Sequence, residues 1–294
     1  MNDCSPDQTD IIVRKIINSN NNNRIKYFIQ EKNVGVSSNF LLATKQCKGK
    51  YIAICEGDDY WTDPDKLKKQ VDFLDSHKDF SLSSHNAEVI KNSAVIRKYC
   101  GDKHPEIMDL KYLLAYGSGG PTCSLVIRNS AIQNLPDWFS KMKACDWTIQ
   151  VMAARQGKMK YFKDIMGVYR KHDKGANFSS KIEAKKNGKS DFALPSKYAM
   201  EMMDNLNRYF NHKYNKELKL QSAYWCYLYV KEYLKIGDLK MARRYAGKIL
   251  KQIFPLSRRK NSWMTKNNFL RLLLIFLPIS IQKIIKKIYD YAKK

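Results

Sequence analysis

What is scarce in this chain narrows its identity first. Acidic residues number 28 against 53 lysines and arginines, giving a formal charge of +25 at neutral pH. Such an excess is balanced by an anionic partner or by counterions, and nucleic acid, an acidic membrane face and phosphorylated substrates all qualify. The seven cysteines, Cys4, Cys47, Cys55, Cys100, Cys123, Cys145 and Cys226, contain no CxxC pair, and no His/Cys cluster has zinc spacing. They read as reduced thiols of a cytosolic protein. No RNP motif, zinc finger or basic region with heptads accompanies the charge, and the Tyr-rich stretch 224–233 is patterned for burial, so no nucleic-acid partner is expected. The most apolar run, 269–281, is broken by Arg271 and Pro278 and is shorter than the ~20 residues a spanning helix needs, which excludes a full membrane crossing there. The opening Met1-Asn2-Asp3-Cys4-Ser5-Pro6 has neither a basic n-region nor an apolar h-region, which predicts no secretory signal.

What is present is enough for a core. Of 294 residues 44% are hydrophobic, sufficient for one α/β domain and a smaller helical appendage. Residues 1–180 alternate short apolar runs with amphipathic stretches, the pattern of a βαβ layer structure. Strands are expected at 25–30, 51–55, 83–89, 124–127 and 158–168. Helices are expected at 36–45, around Leu67, Val71 and Leu74, and at 147–156. The run 51–55 is apolar on both faces, as in a buried parallel strand. A polar, glycine-containing stretch predicts a linker at 181–195. A helical region follows over 196–257, with helices at 196–210, 218–234 and 239–253 and a break at Gly237-Asp238. The last pair could pass for one tetratricopeptide-type hairpin, although plain packing accounts for it better.

The segment 258–294 carries ten basic residues and one acidic residue, Asp290. On a helical projection Ile281, Ile284, Ile285, Ile288 and Ala292 fall on one side and Lys283, Lys286, Lys287, Lys293 and Lys294 on the other. That pattern suits a helix lying on an anionic cytoplasmic leaflet. The alternative is that the isoleucines dock on the catalytic domain.

In an open α/β sheet, ligands bind beyond the carboxyl ends of the strands. Asp3, Asp58 with Asp59, and Asp146 all fall in such positions. Two adjacent aspartates with Glu56 around one turn repel one another unless a cation or backbone amides relieve them. Hard carboxylate oxygens suit Mg2+ or Mn2+. The competing account makes Asp58-Asp59 ordinary turn residues and Asp63-Pro64 a helix cap. Gly117-Ser118-Gly119-Gly120-Pro121-Thr122 reads either as a flexible loop lining an acceptor pocket or as a plain glycine turn. Trp61 and Trp147 are candidates for stacking on a sugar, or for domain core.

Six short motifs occur in order: Asn2-Asp3-Cys4-Ser5-Pro6-Asp7, Asn33-Val34-Gly35, Gly49-Lys50-Tyr51-Ile52, Glu56-Gly57-Asp58-Asp59-Tyr60-Trp61, Cys145-Asp146-Trp147 and Tyr169-Arg170-Lys171-His172. In order and spacing over about 1–180 they resemble the family 2 inverting glycosyltransferases with the GT-A fold. The resemblance implies an α/β fold with a Rossmann-like, mostly parallel sheet flanked by helices, here followed by a C-terminal helical region. It implies that Asp3 hydrogen-bonds the nucleotide base. Asp58 and Glu56 would contact the nucleotide sugar, Glu56 standing where many relatives have Asp. Asp59 would hold Mn2+ or Mg2+, and Asp146 would be the general base. Arg170 and His172 would touch the diphosphate or help ligate the metal, a structural role for either remaining open.

The implied donor is a nucleotide diphosphate sugar, UDP favoured, and the implied acceptor a saccharide or lipid-linked hydroxyl in bacterial surface polysaccharide or lipopolysaccharide assembly. The expected place of action is cytoplasmic, on the inner membrane face. Members begin with a β-α-β segment before the loop that holds Asp3. The chain is therefore expected to lack those first strands and to be poorly soluble or inactive alone, an inactive fragment or membrane-associated scaffold being the second reading.

Overall fold

The computed structural model describes residues 1–20, 24–142, 145–172 and 193–253. They form two compact units. One comprises Met1–Leu113 and Gly117–His172, and the other is built on the carboxy-terminal helices.

The first unit is organised around a long central strand. In chain order its elements are α1 (Thr9–Asn20), α2 (Val36–Gln46), β1 (Tyr51–Ala53), β2 (Tyr60–Trp61), α3 (Lys66–Ser76), β3 (Phe80–Lys91), β4 (Ala94–Lys98), β5 (Ile107–Met108), α4 (Leu110–Tyr116, of which Leu114–Tyr116 group with the second unit), β6 (Val126–Arg128), α5 (Asp146–Ala153) and β7 (Lys158–Lys171). The sheet runs β1-β6-β3-β7-β2, with β4 on β3 and β5 on β7. An α/β sheet with flanking helices and a helical carboxy-terminal region is what the pattern predicts. The strand directions depart from it. The sheet is mixed, with β3–β7 parallel and the other named pairings antiparallel. The stretch 51–55, expected to be a buried parallel strand, is the antiparallel partner of β6 through Tyr51–Ala53 and only Ile52 in it is buried. The expected strand 25–30 contributes a single parallel bridge, Ile29 to Asn2.

Strand β3 is buried along most of its length although Ser81, Ser83, Ser84, His85 and Asn86 lie within it. Buried hydroxyls persist where they are bonded. Ser81 Oγ donates to the carbonyls of Ala153 and Gly157, tying α5 to the sheet. Ser83 Oγ accepts from Gln70 Nε2 of α3 at 3.1 Å, and Ser84 Oγ donates to the Gly119 carbonyl at 3.0 Å. Leu74, Phe80 and Val126 form an apolar cluster between α3 and the sheet, flanked by Tyr51, Val71 and Phe73.

Of the second unit, α6 (Ala193–Tyr209), α7 (Asn215–Lys235) and α8 (Leu239–Ile253) are described. Gly237, at φ +79°, ends α7 where the break is expected. The amide of Asp238 bonds the Tyr233 carbonyl at 2.9 Å and that of Gly237 the Leu234 carbonyl, a Schellman turn. Ala242, Ala246 and Ile249 of α8 then pack on Cys226, Tyr229, Val230 and Tyr233 of α7. The ring of Tyr233 stacks on Tyr245 at 5.7 Å. Most of the expected linker 181–195 and all of the basic segment 258–294 lie outside the described residues. Among the described residues no helix is long and apolar enough to cross a membrane. All seven cysteines are free thiols.

Candidate active site

The pairing of β2 with β7 builds the site. Tyr60 lies opposite Val168 and Trp61 opposite Gly167. Continued one and two residues, that antiparallel register sets the loop Glu56–Asp59 against Tyr169 and Arg170. The backbone amide of Arg170 donates to Asp59 Oδ1 at 2.8 Å, and its guanidinium donates to the Asp58 carbonyl. His172 Nε2 lies 2.9 Å from Asp58 Oδ2. The acidic loop and the Tyr169–His172 segment, more than 100 residues apart in sequence, are therefore one structure, as the motif order suggests.

The two aspartates differ in environment. Asp59 is buried, at 8% exposure, whereas the side chains of Asp58 and His172 are 44% and 42% exposed. Burial raises the Asp59 carboxyl, offset by the Arg170 amide and the Cys123 thiol that bond it. His172 thus meets Asp58 and not Asp59, its expected companion on a metal. The reason is the register: Asp59 points into the protein and takes the Arg170 amide, leaving Asp58 on the open side.

Glu56 carries the largest perturbation of the loop. Burial, then Asp146, and then Asp59 and Asp58 push its carboxyl to about 7. Its Oε2 is buried with no hydrogen-bond partner. Glu56, Asp59 and Cys123 offer ligand atoms within 4.8 Å of one another. An orphaned carboxylate oxygen beside a second carboxylate is a donor pair that fits a hard divalent cation. Cys123, which the sequence reading did not single out, is fully buried, and burial and Asp59 push its thiol well above the usual range. A thiol held neutral in this way is a poor ligand for such an ion.

Asp146 is the first residue of α5. The residue is exposed to solvent, while the protein packed around its carboxylate desolvates it. That surrounding raises its carboxyl, and its charge in turn acts on Glu56 and on the phenols of Tyr99 and Tyr169. Burial first and Asp146 next push Tyr169 to about 12. The rings of Tyr99 and Tyr169 meet edge to face at 5.4 Å. Neither tyrosine was given a role from sequence, although Tyr169 opens the last motif.

Two further placements qualify the sequence reading. Asp3 uses both carboxylate oxygens on the chain itself, accepting the amides of Val34 at 2.8 Å and Gly35 at 2.9 Å at the start of α2. The glycine loop is close-packed, with Gly119 and Gly120 buried. Gln150 of α5 accepts from the Gly119 amide at 2.8 Å and donates to Ser118 Oγ and to the Gly120 carbonyl. A Cβ at Gly119 would fall 2.6 Å from Met159 Sδ, and one at Gly120 would fall 2.8 Å from Ser84 Oγ. Trp61 and Trp147 are anchored through their indole N–H groups to the carbonyls of Cys123 and Leu113.

A mixed sheet with flanking helices, and carboxylates gathered past its strand ends, is consistent with a GT-A-like α/β fold. Residues 1–131 match the family model described as Glycosyl transferase family 2. The match contains Asp3, Glu56, Asp58 and Asp59, while Asp146, Arg170 and His172 lie beyond it. Three mycobacterial proteins, each named as uncharacterized, are 31% identical over 166 residues: Mb1547 of Mycobacterium bovis, and MT1570 and Rv1520 of Mycobacterium tuberculosis. The aligned region covers 54% of this chain and 45% of each relative, so the chain spans less than half of their length.

Proposed function

We propose that this glycosyltransferase moves a sugar from a nucleoside diphosphate donor, UDP favoured, to an acceptor hydroxyl with inversion, Asp146 acting as the general base. The observation that carries the reading is the convergence of Asp146 on the acidic loop, felt as the upward push it exerts on Glu56. A solvent-reachable carboxylate raised by desolvation is suited to take the proton of a hydroxyl as it attacks. The acceptor oxygen forms its bond to the anomeric carbon while the bond to the diphosphate breaks, and the electron pair leaves with the diphosphate. Asp58 and His172, on the open side, would hold Mn2+ or Mg2+. A cation bound there supplies Lewis-acid stabilisation of the departing diphosphate. Asp59 keeps the loop in register by holding the Arg170 amide, and the Arg170 guanidinium fixes the Asp58 backbone. Asp3 orders the start of α2 and retains lone pairs for a nucleotide base.

The acceptor is a saccharide or lipid-linked hydroxyl, with action at the inner membrane face in bacterial surface polysaccharide assembly. Support for that last step is the family and the basic composition.

Asp146→Asn tests the reading. Turnover should fall by about 10²-fold or more while donor affinity stays within about twofold, because this carboxylate acts on the acceptor. Equal loss of donor binding would make Asp146 a structural or metal-bound group.

A further inference from the structure

We infer that the exposed face of α8, with the tip of the α7–α8 hairpin, is a docking surface for an anionic lipid bilayer, separate from the basic segment 258–294. Helix α8 contains Lys240, Arg243, Arg244, Lys248 and Lys251 and no acidic residue. Lys240, Arg244, Lys248 and Lys251 are all exposed. At 100° per residue they fall within an arc of about 80°, in a row about 17 Å long. Gly247 lies about 20° outside that arc, and the space beside it is open. The opposite face, Ala242, Ala246 and Ile249, is the one buried against α7. No ion pair joins the four cations to a carboxylate among the described residues, and the one ring contact is Lys248 with Tyr245, at 5.2 Å.

The segment 258–294 is itself basic, with ten basic residues and one acidic residue. A row of cations alone would fit any polyanion. The hairpin tip favours a bilayer, because Ile236 is 61% exposed and Leu234 39% exposed, just before the row begins at Lys240. Apolar side chains beside a basic helical face are what an interfacial segment presents to headgroups and acyl chains. Nucleic acid would find cations here but no exposed aromatic platform on α8.

The test uses the full chain and vesicles of phosphatidylcholine with about 30% phosphatidylserine. Wild type should sediment with these vesicles, release with added salt and leave pure phosphatidylcholine vesicles unbound. Each cation near such a surface is worth about fivefold in partitioning. The quadruple variant K240E/R244E/K248E/K251E should therefore lose at least about 100-fold, with an unchanged far-ultraviolet spectrum. Ile236→Asp should lose several-fold with all cations in place. The proposal is overturned if wild type does not sediment, or if the quadruple variant binds as wild type does. It is also overturned if Ile236→Asp is without effect and duplex DNA strips wild type from the vesicles.

Discussion

His172 Nε2 and Asp58 Oδ2 lie 2.9 Å apart although 114 residues separate them in sequence. Both are open to solvent, whereas Asp59 is covered and committed to the Arg170 amide. Asp58→Ala or His172→Ala should therefore lower Mn2+-dependent UDP affinity by about tenfold or more, with the melting temperature little changed. Asp59→Ala should act on stability instead, costing about 1–2 kcal/mol by removing the acceptor of the part-buried Arg170 amide. Calorimetric titration with UDP, with and without Mn2+, separates the two. Loss of metal dependence in Asp59→Ala alone would return the ion to Asp59.

Asp3 makes a second, structural prediction. Its carboxylate bridges the amides of Val34 and Gly35 at the head of α2, where negative charge also meets the helix dipole favourably. Asp3→Ala should cost about 1–2 kcal/mol whether or not nucleotide is present, as the loss of a helix-capping group does. Denaturant unfolding of the nucleotide-free protein measures this. If stability is unchanged and UDP binding alone falls, Asp3 serves only the base.

How far the residues foretold this site depends on which interaction decides each part. The acidic loop was legible because carboxylates clustered after an apolar run are chemically conspicuous, and the hairpin break because Gly237-Asp238 admits the turn. The meeting of His172 with Asp58 was not, since it follows from the register of a two-residue strand, β2, on β7. Strand direction was equally hidden. Tyr51-Ile52-Ala53 is apolar enough for either orientation, and its antiparallel partner, β6, lies more than 70 residues away. The glycine loop reads as a flexible lining or as a plain turn, because glycines suit both. Its rigidity comes from Gln150, a helical residue with no local signature.

Gln150 supplies the third prediction. It is fully buried, one turn after Asp146 on α5, and it holds Ser118, Gly119 and Gly120 through three hydrogen bonds. Gln150→Leu keeps the volume but orphans the Gly119 amide, so stability should fall by about 2–3 kcal/mol. For a unit of this size that lowers the melting temperature by about 5–10 °C. Gln150→Glu, which retains an acceptor for the Gly119 amide, should fall between wild type and Gln150→Leu. An equal loss in both variants would mean that the two donated bonds carry the whole effect.

Lys66 opens α3 and is fully buried, its Nζ 3.8 Å from the centre of the Trp61 ring and without a hydrogen-bond partner. Burial lowers its pKa from 10.5 to about 8, with Cys55 and Cys123 opposing weakly. Between those values the unfolded chain binds a proton that the folded chain has released, so wild-type stability contributed by this group rises with pH from about 8 to about 10.5. Below pH 8 both states carry the charge, and folding bears the full cost of burying it, about 3 kcal/mol. Lys66→Met keeps an unbranched chain against the indole and removes the charge, which should stabilise the protein at pH 7 by about 1–3 kcal/mol once the lost cation–π contact is subtracted. The gap between variant and wild type should close as pH rises past 8. Chemical denaturation of both proteins at pH 7 and pH 9.5 decides it. A variant less stable than wild type at pH 7 would show that Lys66 is balanced by a partner it can reach in solution.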